Sequence, residues 1–117
     1  MTDASNGSIP EMQDQLRVLG DKFLLRTQTQ ATQLRQLIHD LESQRSALTP
    51  LEEIAHKIHG SGAMFGFADI SSCGGEIEAL VETVAAANSA VDAAIVARLS
   101  SLIDQLEQAV QLALDAR

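Results

Sequence analysis

The chain has no tryptophan and no tyrosine, and its only aromatic residues are three phenylalanines. Sheets draw on aromatic and β-branched side chains, so this shortage leaves little to build one from. Proline occurs twice and cysteine once in 117 residues. So few prolines leave long helices uninterrupted. A lone Cys73 excludes a disulfide framework within the chain and suits a reducing compartment. Basic residues are also scarce: eight Lys and Arg stand against sixteen Asp and Glu, for a net charge of −8. Nucleic acid and anionic membranes both demand a basic footprint, so neither is expected as a partner. No apolar run approaches the roughly 18 residues a membrane span needs, and no signal peptide is legible, so a cytoplasmic location is expected. The chain lacks a phosphate-cradling GxxxxGK[ST], a dinucleotide fingerprint, a GxSxG elbow, and HExxH or CxxC spacing. ATP binding and independent catalysis are therefore not expected.

What is present is helical. Hydrophobic residues make up 45% of the chain and recur at helical spacing almost throughout. The opening "MTDASNGSIP" is polar and turn-rich, and residues 1–10 read as a flexible leader ahead of one domain over 11–117. In the first long segment Leu16, Leu19, Phe23, Leu34, Ile38 and Leu41 share a stripe, with Thr27 and Gln30 as a polar middle. Gly20-Asp21 is a candidate break, with Asp21 as N-cap of the longer piece. After a break around residues 45–49, Thr49, Pro50 and Glu52 read as N-cap, first helical position and capping box. That helix carries Leu51, Ile54, Ala55, Ile58, Gly62 and Phe65 on one face and ends near Gly66. The next puts Phe67, Ile70, Cys73, Ile77, Leu80, Val81 and Val84 inward. The last, with Ser89 as N-cap and Asp92 in its first turn, repeats Ile95, Leu99, Leu102, Ile103, Leu106, Val110 and Leu114. The predicted fold is all-α: an antiparallel up-down-up-down four-helix bundle with a short extra N-terminal helix, expected as a monomer. The initial Met and the closing helix read as a complete small protein.

Within the third segment, "AHKIHGSGAMFG" holds two of the three histidines and three of the seven glycines. Each helix-interior glycine costs about 1 kcal/mol relative to alanine. At about 100° per residue, His56 falls about 140° from the centre of the apolar stripe, facing solvent, and His59 about 80° from it, on the flank. Gly62 points inward, where it lets a neighbouring helix approach, and Gly66 is placed to end the helix. Gly60 points outward beside His56 and leaves that imidazole uncovered. Taken alone, an outward histidine is also what an ordinary solvated helix position looks like.

Three readings fit this pattern. A neutral imidazole is a nucleophile at one nitrogen when a partner holds the proton on the other. Glu78, roughly 80° from the centre of the next helix's stripe, is a candidate for that partner. His56 and His59, three apart, offer a weak metal pair, whereas Cys73 sits on an apolar stripe and reads as core. A helical adaptor or scaffold needs only the stripes.

"AHKIHGSGAMFGF" resembles the signature of histidine-containing phosphotransfer domains, AHxLKGSAxxxG, through Ala55, His56, Ile58, Gly60, Ser61, Gly62, Gly66 and Phe67. It looks most similar to the phosphoacceptor domain of CheA-type chemotaxis kinases. The resemblance implies a four-helix bundle that accepts a phosphoryl group on His56, with Glu78 hydrogen-bonding that ring and Gly60 giving a receiver domain access. It implies a receiver domain or histidine kinase as partner, with no cofactor or metal of the chain's own and Mg²⁺ carried by the receiver. Where the family has lysine before the glycine, this chain has His59, which a protonated ring would equip to touch phosphate in a pH-sensitive way. Lys57 supplies some of the missing charge, and His59 is itself a second possible acceptor. Lys57, Gly60, Ala63 and the adaptable Met64 are the expected partner surface. The alternatives are a phosphoacceptor domain from a larger chemotaxis-type kinase and a non-catalytic adaptor.

Overall fold

Four helices account for nearly all of the chain in the computed structural model, which describes residues 3–88 and 90–117, the backbone alone for residues 3–8. Helix α1 spans Asp3–Leu41, α2 Leu48–Met64, α3 Ala68–Ala87 and α4 Ala93–Asp115, with a 3₁₀ turn over Arg45–Ala47 ahead of α2. They pack as the expected antiparallel bundle around a core drawn from all four. Phe23, Leu24 and Leu34 enter it from α1, Leu51 and Ile58 from α2, Ile70, Ile77 and Val81 from α3, and Leu99, Ile103 and Leu106 from α4. No helix among the described residues is long and apolar enough to cross a membrane.

The expected short N-terminal helix is not a separate element. Helix α1 runs unbroken for 39 residues, through Pro10 and through the expected boundary at residue 10. Gly20 serves close approach instead of a break: a Cβ there would lie 3.1 Å from Arg117 Nη2 and 3.6 Å from the Phe67 ring. Asp21, expected as an N-cap, instead accepts from Arg117 Nε at 2.6 Å, and Arg117 Nη2 donates to the Arg17 carbonyl at 2.8 Å. This clasp ties the end of α4 to α1. N-terminal to it, α1 projects beyond its neighbours, and Leu16 and Leu19 are exposed instead of inward. Thr27 departs from expectation in the other direction. It is fully buried, its hydroxyl satisfied by the Phe23 carbonyl at 2.7 Å, the usual way a threonine enters a helix core.

Caps differ from the sequence reading in two further places. Helix α2 begins at Leu48, so Thr49 is inside it and the cap position, Ala47, makes no side-chain bond. The 3₁₀ turn winds directly into the helix. Pro50 then falls in the first turn, where its missing N–H would have had no intrahelical partner. Asp92 is the N-cap of α4, accepting from Ile95 N at 2.9 Å; Ser89, the expected cap, lies outside the described residues. The end of α2 is as expected. Gly66 has φ +81°, Phe67 N donates to the Gly62 carbonyl (2.8 Å) and Gly66 N to Ala63 (3.2 Å). That bond pair is a Schellman motif, which needs a left-handed residue where glycine sits. It turns the chain so that Phe67 becomes the N-cap residue of α3 and stacks on Phe23, centroids 5.7 Å apart.

The contact that positions the site is between α2 and α3. A Cβ on Gly62 would lie 2.9 Å from Ser71 N, and one on Gly74 would lie 2.8 Å from His59 N and 3.0 Å from the Ala55 carbonyl. The two helices meet backbone to backbone at these glycines. Their outward residues are thereby held within reach of one another.

Candidate functional site

Residue 56 lies between two buried positions of α2, Ala55 and Ile58. The helical period that drives those neighbours inward drives His56 outward. Its side chain is 72% exposed, whereas that of Glu78, across the groove on α3, is only 16% exposed. His56 Nδ1 and Glu78 Oε2 are 2.6 Å apart. An ionised carboxylate only accepts, so the proton of the neutral ring resides on Nδ1 and the lone pair on Nε2. Such a ring is a nucleophile at its outer nitrogen, with a charge waiting to stabilise the imidazolium that attack creates. Gly60, one turn along the same face, would have nothing within 4 Å of a Cβ. Lys57 and Ala63 are exposed, and Met64 is 75% exposed, so it lies outside the core.

The His59 ring is anchored on α3. Its Nδ1 lies 2.9 Å from the Ser71 carbonyl and 3.2 Å from Ser71 Oγ, while that hydroxyl donates to the His59 carbonyl at 2.8 Å. The ring's Nδ1–Cε1 edge rests on Gly75, where a Cβ would come within 2.8 Å of Nδ1. His56 and His59 thus each have a separate oxygen of α3 as partner. Cys73 is buried, and burial first, then the charges of Glu76 and Asp69, push its thiol above the ordinary range. It is a core residue, as expected.

On the other side of His56 the surface is acidic. Thr49, Glu52, Glu53, Glu78 and Glu82 line a shallow pocket with it. One carboxylate oxygen from each of Glu52, Glu78 and Glu82 lies within 4.8 Å of the others. The Glu82 carboxyl is raised above its usual value by desolvation and then by the charges of Glu52 and Glu78, with His56 pulling the other way.

A family model, that of the Hpt domain, matches residues 9–109. The chain belongs to the Hpt domain family. Searches of curated proteins and of solved structures return no match. Hpt domains act in histidine phosphotransfer within phosphorelays, interact with receiver domains and kinases, and are phosphocarriers, not ATP-using kinases. In this Hpt domain the pairing of His56 with Glu78 was legible from helical spacing and from the resemblance. Ser71, Gly75, Glu52 and Glu82 are not among the residues that the resemblance marks. The signals existed: Glu52 is four residues before His56, Glu82 four after Glu78, and "CGGE" puts two glycines inside a helix.

Proposed function

We propose that this Hpt domain carries a phosphoryl group on His56 Nε2, exchanging it with the aspartate of a receiver domain or accepting it from a histidine kinase. The supporting observation is the 2.6 Å contact between His56 Nδ1 and Glu78 on a ring otherwise open to solvent. In transfer from a receiver, the Nε2 lone pair attacks phosphorus, the bond to the aspartyl oxygen breaks, and the leaving carboxylate keeps the electron pair. Glu78 retains the Nδ1 hydrogen bond throughout and stabilises the positive ring, as a preorganised charge does for a developing one. Gly60 leaves room for the partner's reacting aspartate. Lys57, and His59 when protonated, supply positive charge to the phosphoryl oxygens. Ala63 and Met64 provide an apolar, adaptable docking surface of the kind transient partners use. The partner supplies Mg²⁺, which neutralises phosphoryl charge during transfer. The family match is general and does not single out the phosphoacceptor domains of chemotaxis kinases.

The test is incubation with a phosphorylated receiver domain or an active histidine kinase, measuring acid-labile, alkali-stable phosphate on the chain. His56→Gln is expected to abolish the fast phase of labelling. A His56→Gln variant labelled at the wild-type rate would remove His56 from the mechanism.

A further inference from the structure

The geometry that makes His56 a nucleophile occurs a second time, one turn along the same helix. His59 Nδ1 faces two oxygens of Ser71. The carbonyl accepts only, and the hydroxyl has spent its proton on the His59 carbonyl, so the neutral ring must carry its hydrogen on Nδ1. The lone pair is then on Nε2, and His59 is an exposed residue. Helix α3 also gives up stability to seat this ring. A glycine inside a helix costs about 1 kcal/mol, and the three atoms nearest a Cβ on Gly75 all belong to the His59 imidazole. Gly74, by contrast, is accounted for by backbone contact with α2. His39, the third histidine, lies exposed on α1 and has no oxygen partner among the described residues.

We infer that His59 Nε2 is a second phosphoryl acceptor. This rests on the reading that α2 faces phosphoryl donors, but it has its own readout. In the step, the Nε2 lone pair forms the N–P bond. The phosphorus–donor bond breaks with its electron pair staying on the donor, and Nδ1 keeps its proton in the hydrogen bond to Ser71. A carbonyl dipole stabilises the resulting imidazolium less than the Glu78 carboxylate does, so His59 is expected to react roughly tenfold more slowly than His56.

The probe is phosphoramidate, which needs no partner and releases ammonia. Wild-type protein, His56→Gln, His56→Gln/His59→Gln and His56→Gln/Gly75→Ala are labelled and mapped by peptide, with His39 as an internal control and circular dichroism as a check on folding. The expected result is that His56→Gln accumulates phosphate on His59 several times faster than on His39. Gly75→Ala, which unseats the ring, brings His59 down to the His39 rate. Labelling of His59 no faster than His39, or undiminished by Gly75→Ala, overturns the inference. If wild-type protein labels on His56 while His56→Gln labels His59 no faster than His39, the inference fails and the proposed function stands. Label on His59 with none on His56 upholds the inference and removes His56.

Discussion

Replacing Glu78 with alanine removes the acceptor of a 2.6 Å hydrogen bond to His56 while leaving the core untouched, since Ile77 and Val81 carry the burial of that stretch of α3. Hydrogen bonds involving a charged group are worth about 1.5–3 kcal/mol. His56 is 72% exposed, so water competes for Nδ1–H, and the lower part of that range applies. At about 1.4 kcal/mol per factor of ten, Glu78→Ala should slow phosphorylation of His56 by roughly 10–30-fold. Glu78→Gln retains a neutral acceptor and should recover part of this. The assay is the rate of label transfer from a phosphorylated receiver under single-turnover conditions, beside a thermal melt. Unchanged transfer in Glu78→Ala would remove Glu78 from the mechanism. A rate loss matched by an equal loss of folded protein would make its role structural only.

Gly60 and Gly62 should respond to alanine in opposite senses. Gly60→Ala meets open space and should gain up to about 1 kcal/mol in helix stability, while slowing transfer by crowding His56. Gly62→Ala drives a methyl against the α3 backbone and should cost about 1–3 kcal/mol before that gain is subtracted; denaturant melts of both variants check the pair. Glu82 offers a pH test. Its carboxyl is raised in the folded state, so its favourable contribution is present at low pH and is lost as pH rises through the raised value. Glu82→Gln should therefore melt higher than wild type near pH 7, with the difference shrinking as pH falls below the ordinary carboxylate range.

The parts of this molecule that could be read beforehand are those set within one helix. The outward direction of His56 and the inward direction of Gly62 follow from the period of α2 alone, and Glu78 needed only its own position on α3. What escaped reading depends on residues far apart in the chain. Gly20 reads as a break until Arg117 is seen against it, 97 residues later. Leu16 and Leu19 continue the apolar stripe of α1, but no other helix extends far enough to cover them. Thr49 has every local property of a cap, yet the 3₁₀ turn before it starts the helix earlier. The setting of His59 was hidden for the same reason: its partners Ser71 and Gly75 are on the other side of a turn.

The backbone contact of α2 with α3 has a consequence for how the site fails. At Gly62 and Gly74 the two helix backbones are in close contact, so moving the backbone of α2 away from α3 means prying apart elements that also carry Ile58, Ile70 and Ile77 in the core. Opening of the α2–α3 pair should then coincide with global unfolding. The reactive edge should keep its geometry on heating until the whole bundle melts, with amide exchange along the inner turns of α2 and α3 as slow as the slowest in the molecule.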